Sequence, residues 1–200
     1  MNNQINKPSF EGTMNRIQKS LDIDISVTIK KIGSLSEEEL KPFIENFQEC
    51  EPLFWEAENF SEKDIELSKL FNFNLEDCVK EDDFVMFNFP RSEGHILVDS
   101  INKQLNIDSV GSVVFCDTFF AHVHDDTEAV DDTGQLMVVI ENKENHILYS
   151  SDFEGNDFTI VPKAGDIIFL NIWAPLAVLP NQSNGIEAMR QNSMKLVCFN

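Results

Sequence analysis

Long apolar runs are missing from this sequence. Nothing in it approaches the roughly 18 consecutive apolar residues of a membrane-spanning helix, so no such helix is expected. The opening stretch, MNNQINKPSFEGTMNRIQKS, has no apolar centre and no small-residue cleavage site, so it does not read as a secretory leader. Positive charge is scarce. Fifteen Lys and Arg face thirty-five Asp and Glu, giving −20, and the arginines are three: Arg16, Arg91 and Arg190. Phosphate backbones and anionic membranes are held by clustered Lys and Arg, so neither direct nucleic-acid binding nor membrane docking is expected. Cys50, Cys78, Cys116 and Cys198 lack CxxC spacing, which argues against a cysteine zinc site. Without an export signal they are expected to be reduced thiols in a cytoplasmic protein. GxSxG, the phosphate-binding GxxxxGK[ST], GxGxxG and HExxH are all absent.

What is present reads as an α+β chain forming one domain over 1–200. Residues 1–20 are polar and suggest a loose arm. Residues 21–106 form a mostly helical, acidic half. Within 22–32 apolar and polar residues alternate, as in a strand. Ser36 with Glu39 is a capping-box pair, Leu35 and Leu40 are placed as a hydrophobic staple, and Leu40, Phe43, Ile44 and Phe47 recur at helical spacing, predicting a helix over 37–48. A second helix is expected after Ser61, with Asp64 three residues past the cap and Ile65, Leu67, Leu70 and Phe71 as its apolar residues. The segment FVMFNF (84–89) suggests a short buried strand, and Leu97, Val98, Ile101 and Leu105 a third helix. Glu37 to Asp83 holds sixteen acids and four lysines, −12 of the −20. That density fits either a solvated helical surface or a docking face for a basic partner. From residue 107 onward, short apolar runs recur between polar turns: SVVFCDTFF, QLMVVI, HILYSS, FTIVP, DIIFL, LAVLP and MKLVCF. Such spacing predicts a sandwich or barrel over 107–200, with the helices packed on it.

Chemistry concentrates in Phe119-Phe120-Ala121-His122-Val123-His124-Asp125-Asp126-Thr127-Glu128. Alternate residues of a strand point the same way, so His122, His124 and Asp126 share a face if the strand continues. Imidazole and carboxylate on one face, with open positions, suit a divalent first-row metal such as Fe(II). The nearby acids Asp125, Asp126, Glu128, Asp131 and Asp132 do not have EF-hand spacing, and turn preference accounts for them.

The second half resembles the 2-oxoglutarate/Fe(II)-dependent dioxygenases. The resemblance rests on His124-x-Asp126, the turn Gly165-Asp166 with Phe169, the segment Pro175-Leu176-Ala177-Val178, and Arg190 before the last strand. It implies a double-stranded β-helix, or jelly roll. It implies Fe(II) held by His124 and Asp126, and 2-oxoglutarate with its far carboxylate on Arg190, whose planar fork suits that group. It also implies hydroxylation of an unknown substrate. One departure stands out: the family's second metal histidine falls on Leu176, which has no ligand atom. His122, Glu128 and His146 are candidate substitutes, His146 because it opens a neighbouring predicted strand. Asn192 stands where the family often has a serine.

His122-x-His124-x-x-x-Glu128 is also similar to the first cupin motif, which implies a jelly roll and a metal as well. The 41 residues from His124 to Gly165 suit the dioxygenases better. Two kinds of function follow: an oxygenase with altered ligation, or a jelly roll without catalysis that acts as an inhibitor or adaptor by engaging a basic protein through its acidic half.

Overall fold

Runs such as QLMVVI and DIIFL are apolar at consecutive positions, so both faces of those strands need cover. The chain meets this need with layers. A computed structural model describes residues 16–47, 60–78, 86–88, 92–118, 120–124, 135–152, 154–171, 174–181 and 192–200; for 77–78, 86–88, 92–93 and 121–124 it describes the backbone. In chain order the elements are α1 (Arg16–Leu21), β1 (Ile29–Ser34), α2 (Glu37–Asn46), α3 (Glu62–Leu70), α4 (Leu75–Cys78), β2 (Met86–Asn88), β3 (Ser92–Glu93), α5 (Ile96–Leu105), β4 (Ser112–Thr118), β5 (Ala121–His124), β6 (Gln135–Glu141), β7 (Ile147–Ser151), β8 (Asp157–Ile160), β9 (Asp166–Leu170), β10 (Leu176–Leu179) and β11 (Met194–Phe199).

The strands form two antiparallel sheets. The larger runs β1-β9-β6-β11-β4-β2, with β3 also on β4; the smaller runs β5-β10-β7-β8. The inner face of the larger sheet (Cys116, Met137, Val139, Ile168, Leu170, Met194, Leu196, Cys198) clusters with Leu148, Leu176 and Val178 of the smaller one. The outer face of the larger sheet, including Val113, Phe115, Val138, Phe169 and Phe199, packs against Ile17 of α1, Leu40 and Phe43 of α2, and Leu97, Val98 and Ile101 of α5. Ile147, Tyr149, Ala177 and Leu179 on the outer face of the smaller sheet take Leu67 of α3, Phe73 and Leu75. The order is therefore helix, sheet, sheet, helix. Alternation decides it: Leu176 and Val178 turn inward, Ala177 and Leu179 outward.

Local signals explain the ends of the elements. Ser36 accepts from the Glu39 N–H while Glu39 takes the Ser36 N–H, the reciprocal cap expected at α2. Ser61 and Asp64 repeat it at α3. His95 Nδ1 caps α5 by accepting from the Leu97 N–H at 3.2 Å, and Asn106 ends that helix in a left-handed conformation (φ 54°).

Three expectations shift. Arg16–Leu21, inside the expected arm, is helical with Ile17 fully buried; residues 1–15 lie outside the described ones. The strand expected at 22–32 begins only at Ile29, because Asp24 accepts from the Ser26 N–H and hydroxyl and holds a turn there. On α3 the buried face is Asp64, Leu67 and Ser68, while Ile65 and Leu70 are 41% and 63% exposed. The helix packs on the small sheet along one narrow line, which the short apolar list could not resolve.

The Gly165-Asp166 turn joins the helical half to the sheets. Gly165 has φ +88°, and a Cβ there would lie 2.7 Å from the Leu35 carbonyl oxygen. The Leu35 N–H donates to Gly165 O at 2.8 Å. Only glycine fits both the angle and the approach.

Candidate functional site

Register locates the predicted site residues. β10 pairs with β5 so that Leu176 is opposite His124, and with β7 so that Leu176 is opposite Ser150; β8 continues the row with Phe158 opposite Ser150. His124, Leu176, Ser150 and Phe158 thus form one cross-strand row at the end where β5 and β9 finish and β6 and β10 begin. The next row holds Ala121, Val178, Leu148 and Ile160. Between them β5 gains a residue, a bulge next to His122.

Leu176 therefore occupies the position beside His124 that the family resemblance assigns to a second imidazole. Its side chain is 8% exposed and packs in the core between the sheets. A hydrocarbon there donates no lone pair. Across β7, Ser150 is buried and supplies no imidazole or carboxylate. The residues described on this row do not fit three-residue iron ligation. Among the described residues no three His, Cys, Asp or Glu side chains gather as a metal set. For His122 and His124 the described part is the backbone; Asp126, Glu128 and Arg190 lie outside the described residues.

His146 is placed differently from the expectation that it could complete the set. It precedes β7 at the far end of the sandwich, four residues from Ser150, which is roughly 13 Å along a strand. Asn142 fixes its backbone: the His146 N–H donates to Asn142 Oδ1 at 2.8 Å, and Asn142 Nδ2 donates to His146 O at 2.9 Å. The ring Nε2 donates to the Asn192 carbonyl at 2.9 Å, leaving Nδ1 as a buried acceptor without a partner. Burial pulls the imidazole below its ordinary pKa, against the opposing pull of that hydrogen bond and of Glu144. Asn192 and its neighbour are thus occupied structurally, since the Ser193 hydroxyl donates to Asp117.

Asp166 of the glycine turn is structural too. Lys31 Nζ stands 2.6 Å from Oδ1, the Ser34 hydroxyl donates to the same oxygen at 3.2 Å, and the Lys163 N–H donates to Oδ2 at 3.0 Å. Burial raises this carboxyl, but Lys31 and the donors outweigh it and hold it below the usual range.

Sequence reasoning missed polar groups at the His124 end. Gln135, which opens β6, pairs with Leu170 on the inner-facing register, and Asn200 follows β11. Each carries a buried side-chain oxygen without a hydrogen-bond partner. No motif or spacing marks them, because their adjacency is created by strand pairing across 65 positions.

No family model and no curated protein matches the chain. Solved structures with a similar course include AviO1 from Streptomyces viridochromogenes Tue57, at 10% identity and a TM-score of 0.48, covering 94% of this chain and 95% of that one. EvdMO1 has 10% identity and a TM-score of 0.49, over 92% of this chain and 49% of its own. A Pseudomonas putida prolyl-4-hydroxylase has 10% identity and a TM-score of 0.48, over 92% of this chain and 97% of its own.

Proposed function

We propose that this chain is a 2-oxoglutarate/Fe(II) dioxygenase-like protein whose eight strands β4 to β11 form a double-stranded β-helix and whose iron ligation is reduced to His124 and Asp126. The sheet orders β9-β6-β11-β4 and β5-β10-β7-β8 support the fold, since from β4 to β11 consecutive strands pass between sheets, as in a jelly roll, except at the β7–β8 hairpin. One observation carries the reduced ligation: Leu176, buried in the core, is the register partner of His124. Where bound, Fe(II) with 2-oxoglutarate would supply O2 chemistry. This chain's part would be His124 and Asp126 as ligands and Arg190 for the far carboxylate. With one ligand position filled by hydrocarbon, the natural chain is expected to hold iron more weakly than a three-ligand site does, and to hydroxylate its substrate only where two protein ligands suffice.

Anaerobic Fe(II) titration, with and without 2-oxoglutarate, tests this on the natural chain and on Leu176→His, with Leu176→Phe, a ring without a lone pair, as a packing control. The His variant is expected to bind Fe(II) at least about tenfold more tightly, the scale on which even outer-shell partners alter metal affinity. It is also expected to gain the visible charge-transfer band on adding 2-oxoglutarate. Tight binding and turnover by the natural chain would overturn the reduced-ligation reading.

A second reading keeps the fold without catalysis: an inhibitor or adaptor that engages a basic protein. It is favoured by the exposed acids Glu37, Glu38, Glu39 and Glu45, which share α2 on the outer layer of the larger sheet; Glu62 and Glu66 of α3 lie on the opposite outer layer.

A further inference from the structure

The inner face of the larger sheet is hydrocarbon and sulfur along most of its length, with Met137 and Cys198 in its core cluster. Its last level on β6 and β11 breaks that pattern. Gln135 and Asn200 lie two residues beyond Met137 and Cys198, so the pleat returns them to the same face. Phe199 is opposite Leu136, which puts Asn200 beside Gln135 on the next level. The Asn200 backbone is tied to the start of β4: its N–H donates to Ser112 O at 3.2 Å, and its main-chain oxygen accepts from Gly111 and Ser112 at 2.8 and 3.1 Å. The side chains are not. Two adjacent primary amides can satisfy each other, N–H to C=O, yet Gln135 Oε1 and Asn200 Oδ1 are both buried and both without a donor. Asn200 is 8% exposed. An acceptor stripped of water and given no donor is destabilising.

We infer that Gln135 and Asn200 are an acceptor pair for a ligand carrying paired N–H donors, a guanidinium or amidinium group. Two acceptor oxygens on neighbouring strands suit a planar fork of N–H bonds. They repel an anion, and the net charge of −20 disfavours one further. The pair sits at the end of the sandwich that also holds the His124 row, on the face turned toward the smaller sheet. It stands on two amides and requires no iron, which separates its failure from that of the iron reading.

Methylguanidinium is the probe, titrated into the full chain while the side-chain amide NMR signals are followed. Saturable shifts of the Gln135 and Asn200 NH2 signals are expected, with no response to acetate. Asn200→Leu should weaken binding about tenfold, as loss of one hydrogen bond to a charged group does. Gln135→Met, which removes an unsatisfied acceptor at equal length, should keep or raise the Tm without ligand and also weaken binding. The inference is overturned by an absent or non-saturable shift, by an equal response to acetate, or by unchanged affinity in Gln135→Met. A bridging water that methylguanidinium does not displace overturns it equally. Should Asn200→Leu not fold, Gln135→Met and the natural chain decide.

Discussion

The His146 ring links the turn between β6 and β7 to Asn192 through a single N–H···O bond, buried on all sides. Its folded pKa lies below the ordinary imidazole value of 6.5. Above that value both states are neutral and the residue adds no pH dependence. As pH falls below it, the unfolded chain takes up a proton that the folded chain refuses, so stability drops until pH reaches the folded pKa. The slope is at most about 1.4 kcal/mol per pH unit. Urea unfolding at pH 7.0 and pH 5.5, roughly the span of an imidazole titration, should show this loss in the natural chain and a smaller one in His146→Met. Equal losses in the two proteins would place the acid sensitivity elsewhere.

Among elements, α3 is held by few apolar contacts, because its buried face is Asp64, Leu67 and Ser68. Polar ties make up the difference. Lys63 Nζ reaches the two Asp157 oxygens at 3.1 and 3.2 Å and lies 5.5 Å from the centre of the Tyr149 ring, while the Tyr149 hydroxyl donates to Asp157 at 2.7 Å. Burial opposes the charge on Lys63, but Asp157 and Tyr149 raise its pKa above the usual lysine value. Ser61→Ala removes the cap and should cost about 1 kcal/mol, read by urea unfolding, with faster amide exchange across α3. Unchanged exchange there would show that the Lys63–Asp157 tie suffices without the cap.

Elements also show what was legible. The caps at Ser36 and Ser61 and all seven apolar runs after residue 107 correspond to observed starts and strands, because those signals are local. The late start of β1 and the narrow face of α3 were hidden, since partners from distant sequence decide them. The resemblance singled out Leu176, but only pairing sets it opposite His124. The Gln135–Asn200 adjacency had no local trace at all.

At the scale of the molecule, charge and layering run together. Described acids on α2 and on α3 lie on opposite outer layers, and a basic partner would meet one layer or the other. Such association should weaken steeply as salt rises, because exposed charges are screened within about 10 Å at 0.1 M. Binding measured at several salt concentrations checks this; a partner held equally at all of them does not use the acidic surface.

The edge strand β1 pairs with β9, and Ser34 reaches Asp166 across 132 positions. During synthesis β1 leaves the ribosome long before its mate exists. Until then its backbone donors and acceptors have no strand to pair with. Newly made chains are thus open to sticking for most of their translation, and a chaperone that shields the leading segment should raise the yield of folded protein.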